Sequence, residues 1–364
     1  MNSWREVRRH LNSNRHALAR RADLLYPDLP RVGSTHLLTR SAWALPEPLD
    51  LHEVVLRWTD ETPPVPVPDG MTYAEAMTTF DKPKLFENRT CYRLLDVTWP
   101  ELTFTRGMYF DAVNVGEAIA HEFAAADLAG GPDAAVDLSS RRLVPDPTEL
   151  RARPAHPAIS MLTLRHDRET GEMTFVLHWR DPALVAHGGG LFQVMPVGVF
   201  QPSAESPQAE RADFDLWKCV VREYAEEFLG RSEHYGPDFD YETWPLYRRL
   251  TDARESGDLR SMVLGIGVDP LTFATDILAV TVVEARTFDA VFGAMTGAND
   301  EGHATMGVPF DEESVGRYVT REPMQAAGAA VLELAWRHLR GRWPVDLRQT
   351  DIARSTGVYP GLTG

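Results

Sequence analysis

The sequence predicts an α/β protein, and three observations lead to that class. Residues 159–164 and 173–179 are apolar-rich runs on either side of a polar turn at Asp167–Glu172, which is the pattern of a β-hairpin with Gly171 in its turn. Two further apolar runs, Met262–Val268 and Asp276–Val283, read as strands. Between and beyond them, Leu216, Val220, Tyr224 and Phe228, and later Met324, Ala327, Val331, Leu334 and Leu339, recur at the spacing of a helix's buried stripe.

The remaining elements follow along the chain. Ser3 stands three residues before Glu6, a capping-box spacing, and Trp4, Val7, Leu11, Leu18 and Leu25 share one face, so a helix is expected over about 4–25. Pro27 and Pro30 end it, and Pro46, Pro48, Pro63, Pro64, Pro66 and Pro68 make an extended connector in which Val54–Trp58 can dock as a strand. Thr90–Val97 and Leu102–Phe104 read as two strands, and Asn114-x-x-Glu117 opens a helix running to about Ala126. Gly130, Gly131 and Pro132, followed by the polar stretch Ser139–Arg153, look like a linker, which puts a domain boundary near 150. A third strand, Leu191–Gln201, follows the hairpin; Gly230 sits where the helix of Leu216–Phe228 should stop, and Pro323 opens the last helix.

Composition narrows the function classes. A hydrophobic share of 43% against 25% charged residues is that of a chain able to bury a core. Lys and Arg total 37 against 53 acidic residues, and a net charge of −16 repels polyanions, so direct nucleic-acid binding is not expected. The basic run Arg5–Arg21 reads as the solvated face of the first helix. Two isolated cysteines, Cys91 and Cys219, make neither a disulfide framework nor a cysteine zinc site and suit a reducing cytoplasm. The longest apolar run, Ile277–Val283, is too short to span a bilayer, so no membrane partner is expected.

The chemistry-bearing feature is Arg222-Glu223-Tyr224-Ala225-Glu226-Glu227. On a helix, positions 223, 226 and 227 share one face, so three carboxylates border one volume. Their repulsion costs a few tenths of a kcal/mol per pair, roughly, and a hard dication with oxygen ligands is one remedy. The same spacing also suits a solvated acidic face on which Arg222 pairs Glu226.

This segment resembles the Arg-Glu-x-x-Glu-Glu core of the Nudix signature, and Met195-Pro196-Val197-Gly198 is similar to that family's Pro-Gly-Gly entry. The resemblance covers about 155–340 and departs from the signature in four places. Gly198 lies ten residues further from Arg222 than the family spacing, Phe214 stands at the upstream glutamate position between Asp213 and Asp215, Tyr224 replaces an aliphatic residue, and Gly230 comes one place late. What the resemblance implies is an α/β/α sandwich with a mixed sheet over 151–345. Before it lie a helix and Pro-rich connector at 1–70 and a small α/β region at 71–150, and a tail at 346–364 follows it. It implies Glu223, Glu226 and Glu227 as ligands of Mg2+ or Mn2+, Arg222 fixing a glutamate by salt bridge, and Gly198 as a positioning residue. Glu226 and Glu227 are then catalytic, with Glu301 of Asn299-Asp300-Glu301-Gly302 a further candidate proton acceptor or else a polar turn.

The expected activity is metal-dependent hydrolysis of a phosphoanhydride in a nucleoside-diphosphate-linked small molecule; the alternative is a non-catalytic ligand sensor with a degenerate box. The chain is also similar to actinobacterial proteins in which such a region accompanies a regulatory DNA-binding domain, although it shows no helix-turn-helix of its own. A small nucleotide-like ligand and a second copy of the chain, as a homodimer, are the partners in view. Other constellations are weaker. His187-Gly188-Gly189-Gly190 lacks a nucleophile elbow elsewhere, and His121-Glu122 lacks a second histidine at position 125. Tyr235, Phe239, Tyr241, Trp244 and Tyr247 either stack on a base or pack a long loop.

Overall fold

A computed structural model describes residues 3–83, 86–130, 138–180, 190–231, 235, 239–293, 298–299 and 302–340. Glu301, His187 and the tail from 341 onward lie outside the described residues.

The chain begins with α1 (Trp4–Ala22), whose N-terminus carries the expected capping box. The Ser3 hydroxyl accepts from Glu6 N–H, and the Glu6 carboxylate accepts from Ser3 N–H. Val7, Leu11, Leu18 and Ala19 of its buried face pack with Ala120, Phe123 and Ala124 of a later helix. Short strands β1 (Leu49–Asp50) and β2 (Val55–Trp58) follow, then α2 (Tyr73–Phe80) and the hairpin β3 (Thr90–Thr98) and β4 (Glu101–Met108). Strands β2, β4 and β3 form a small sheet in which β2 runs parallel to β4.

The next helix starts earlier than Asn114. It runs through α3 (Tyr109–Ala112), a π-helical turn at Val113–Glu117 and α4 (Ala118–Leu128). Instead of capping its own helix, Asn114 accepts the N–H of Ala74 in the first turn of α2.

Residues 139–153, expected as a linker, are packed. They contain α5 (Ser139–Arg142), held by Glu122 accepting from the N–H groups of Ser140 and Arg141. Arg141 and Arg153 are buried, and their guanidinium groups donate to carbonyls of Pro270, Leu271, Pro147 and Phe273. Burial drives the Arg153 guanidinium down to about 9.

The large sheet begins with β5 (Pro157–His166) and β6 (Met173–Arg180), and Gly171 turns the hairpin with φ at 76°. These two strands pair only near their turn, at 164–166 against 173–175, and then splay apart. The segment expected as one strand over 191–201 fills the fork as two: β7 (Phe192–Val194) pairs β6, and β8 (Val197–Val199) pairs β5. Met195–Pro196 between them is a cis peptide. Next come α6 (Pro207–Ala212), α7 (Leu216–Glu223), a π-helical turn over Tyr224–Phe228, and α8 (Pro245–Glu255).

Strands β9 (Leu259–Val268) and β10 (Thr275–Glu284), α9 (Ala285–Phe292), β11 (Ala298–Asn299), β12 (Gly302–Pro309), α10 (Glu312–Thr320) and α11 (Ala326–Leu339) complete the order. The sheet path is β1-β9-β10-β5-β6-β12-β11. It is mixed, since β10 runs parallel to β5 while β9, β6 and β12 pair antiparallel.

Alternation along β10 assigns the two faces. Ile277, Ala279 and Val283 share a core with Val220, Tyr224, Phe228, Leu250 and Phe288, whereas Leu278, Val280 and Val282 share one with Ala330, Val331 and Ala335 of α11. A mixed sheet thus lies between α7–α9 and α10–α11, an α/β/α-like sandwich. The first of these cores also takes in Tyr92, Leu94 and Phe104 of the small sheet. None of the helices is long and apolar enough to cross a membrane, among the described residues.

Candidate functional site

The carboxylate segment straddles the junction of α7 with the π-helical turn. Asp215 caps α7 by accepting from Lys218 N–H, and Leu216, Val220, Tyr224 and Phe228 are all buried, as their periodicity predicts. Beyond Glu223 the backbone widens to i→i+5 bonding, a bulge that recurs at functional sites in helices. Each residue there turns through less than the α-helical angle of about 100°, so Glu226 and Glu227 are not arrayed as a continuous α-helix would array them. Gly230, with φ at 60°, and Arg231 close the turn by bonding back to the carbonyls of Glu226 and Ala225.

Three of the predicted residues meet at β8. The Val197 N–H donates to Glu227 Oε2 at 3.2 Å. A β-carbon placed on Gly198 would lie 1.8 Å from the carboxyl carbon of Glu223, so the absence of a side chain at Gly198 is what lets that carboxylate lie against the strand. Glu226 takes a different partner, accepting from the Tyr235 hydroxyl at 3.3 Å. All three glutamates are half-buried.

Arg222 is not on a solvated face: its side chain is 4% exposed and forms a 3.2 Å ion pair with Asp213. It also donates to the Tyr241 hydroxyl at 2.7 Å and to the Gln201 carbonyl at 2.6 Å. Asp213 in turn accepts from the Tyr241 hydroxyl, the Ser203 N–H and the Ser203 hydroxyl at 2.6–2.7 Å. Burial works against the Arg222 charge, but Cys219, Tyr241, Asp213 and Glu223 around it outweigh that and hold the guanidinium above its usual range. Burial also pushes up the Cys219 thiol and the Tyr235 hydroxyl. Both cysteines are buried and free.

The acids flanking Phe214 are therefore engaged in structure, Asp213 with Arg222 and Asp215 as a helix cap. Phe214 itself packs at 5.1–5.9 Å against Tyr92, Phe104 and Phe200. The aromatic set after the helix packs on itself, with Tyr235–Phe239 at 4.6 Å, Phe239–Trp244 at 5.3 Å and Tyr241–Tyr247 at 5.2 Å. His121 is stacked on Trp4 and bonded to the Tyr73 hydroxyl, and burial lowers it to about 4. Ser203 is the site residue that sequence reasoning missed, since it lies in an irregular segment where spacing carries no signal; Tyr241 was singled out only as one of the aromatic set, not as a partner of Arg222 and Asp213.

Among the described residues no group of three or more His, Cys, Asp or Glu side chains is arranged to hold a metal ion. The donor chemistry of Glu223 and Glu227 nonetheless suits a hard dication. Magnesium is commonly held by one or two carboxylates with water and substrate phosphates completing its shell. No protein-family model and no curated protein matches the chain.

Proposed function

We propose that the chain is a Nudix-like hydrolase that uses Mg2+ or Mn2+ to cleave a phosphoanhydride in a nucleoside-diphosphate-linked small molecule. The observation that carries this reading is the meeting of Glu223 and Glu227 at Val197–Gly198, where a strand, a loop and a helix bring the glycine and the carboxylates together. Glu223 and Glu227 would hold the ion, which when bound supplies charge neutralisation at phosphate and a more acidic water. Arg222 is a positioning residue: locked by Asp213 and Tyr241, it fixes the phase of the helix on which the glutamates stand. Glu226 and Glu227 would accept a proton from the attacking water, with Glu301 the third candidate.

Release of phosphate or nucleotide from a panel of diphosphate compounds with magnesium or manganese tests the reading. Activity is expected to fall by about a hundredfold or more in Glu226→Gln and Glu227→Gln. Turnover no higher than in those variants would sink it.

A milder probe is Gly198→Ala. The three atoms nearest its β-carbon all belong to the far end of the Glu223 side chain, which can swing away, so urea unfolding should change by less than about 1 kcal/mol. Manganese affinity should nevertheless drop about tenfold, as for other losses of ligand placement. Unaltered manganese binding in a folded Gly198→Ala protein would remove Glu223 from the ligand set.

The packing of Phe214 in the aromatic core favours a second reading, a sensor that binds the same ligand class without turnover. A ligand-dependent rise in melting temperature with no product formed would support it.

A further inference from the structure

A row of hydroxyl groups crosses the apolar face of the large sheet beneath the carboxylate helix. Ser261 of β9, Thr281 of β10 and Thr163 of β5 stand opposite one another in register, all buried, and Ser261 and Thr281 bond each other at 2.7 Å. At the end of that row the Tyr224 hydroxyl lies 2.9 Å from Thr163 Oγ1. We propose that Tyr224 is a positioning residue whose hydroxyl, acting through Thr163, holds the Met195–Gly198 segment against the carboxylates of Glu223 and Glu227. That role rests on the reading of those two glutamates as metal ligands.

The direction of the bonds follows from the groups. Thr163 has one hydroxyl proton, and it donates that proton to the Met195 carbonyl at 2.7 Å, which can only accept. The Tyr224 hydroxyl is therefore the donor to Thr163. An aliphatic side chain at position 224 would fill the same core but leave this link unmade. The link falls where the strand ladder is interrupted: β5 pairs β8 at 158–160 and β6 at 164–166, and Met195 lies between β7 and β8.

These bonds close a loop through the site. Tyr224 directly follows Glu223, and its phenol is tied through Thr163 to Met195, two residues before Val197. The Val197 N–H then returns to Glu227 Oε2, three residues after Tyr224, at 3.2 Å. Tyr224, Thr163 and Met195 are all buried, so water cannot replace a lost hydroxyl there. The Tyr224 ring itself is held by Phe228 and Phe292 at 5.1 and 5.0 Å, contacts that phenylalanine would keep.

Amide hydrogen exchange on the full chain, with EDTA present, reads the placement without any ion. In Tyr224→Phe the Val197 N–H should exchange about fivefold faster relative to that of Val280, which lies in the middle of β10 and reports the stability of the whole sheet. Manganese affinity, followed by the electron paramagnetic resonance of the free ion, should fall about tenfold. Thr163→Ser keeps the hydroxyl and gives up a methyl group, so it should lower stability and leave both readouts unchanged. Thr163→Val breaks the same link at its middle; it should match Tyr224→Phe, and the double variant should add nothing further. A Val197-to-Val280 ratio that does not move in Tyr224→Phe or Thr163→Val overturns the proposal. So does an equal shift in Thr163→Ser, since the effect would then follow stability alone. Where the wild type binds manganese, equal affinity in Tyr224→Phe overturns it too. If the wild type binds no manganese yet the ratio shifts, the placement stands and the metal reading falls.

Discussion

Arg222→Met is expected to cost about 3–5 kcal/mol of folding stability, the range for a buried ion pair that loses one partner. The guanidinium and the Asp213 carboxylate are 4% and 2% exposed, so neither can recover its lost interaction from water. Methionine approximates the aliphatic volume but leaves the Gln201 carbonyl without its donor and Asp213 without its countercharge. The Ser203 N–H, Ser203 hydroxyl and Tyr241 hydroxyl would still reach Asp213, which argues for the lower part of the range. A second change, Asp213→Leu in the Arg222→Met background, removes the stranded charge and should recover a large part of the loss. Urea unfolding of the wild type, both single variants and the double variant measures the coupling. A single-variant loss under about 1 kcal/mol would mean that the pair does not hold the helix in place.

The helix bearing that pair was legible because Leu216, Val220, Tyr224 and Phe228 form a stripe whose members are all buried. The hairpin, β9 and β10 were legible from an equally local signal, apolar runs bounded by polar turns. Features decided by tertiary contacts were not. The strand read over 191–201 divides at Pro196 because β5 and β6 diverge and each needs its own partner, a requirement that no alternation within 191–201 records. Residues 139–153 looked like a linker because they are polar and proline-rich, yet Arg141 and Arg153 are buried with carbonyl partners distant in sequence. At the site, acidic spacing put Glu223, Glu226 and Glu227 on one helix face; Glu223 and Glu227 lie against β8, whereas the π-helical turn and the Tyr235 hydroxyl give Glu226 a separate environment. Asp213, beside Phe214 at the upstream glutamate position, is a structural anchor through its ion pair with Arg222, a pairing that spacing along the chain does not record.

On the opposite face, Asp276→Asn should uncouple stability from pH. Asp276 is 8% exposed, with the Ser160 hydroxyl as its donor and the Asp269 charge nearby, and burial raises its carboxyl from 3.8 to about 7. A folded-state value above the unfolded one means that the folded chain holds this proton more tightly. The resulting stabilisation is complete below about pH 4 and disappears as pH rises through about 7. Integrated over that window, the loss is about 4 kcal/mol. Asparagine can still accept from Ser160 but has no proton to lose, so the variant lacks this contribution to the pH dependence. The free-energy difference between wild type and Asp276→Asn in urea unfolding should therefore move in favour of the variant by about that amount from about pH 4 to about pH 8. Other groups titrate in both proteins and largely cancel in the difference, including His16 and His36, which burial holds below their ordinary range. A difference that stays constant across the window would show that the Asp276 carboxyl titrates in the fold as it does in the unfolded chain, with no burial shift.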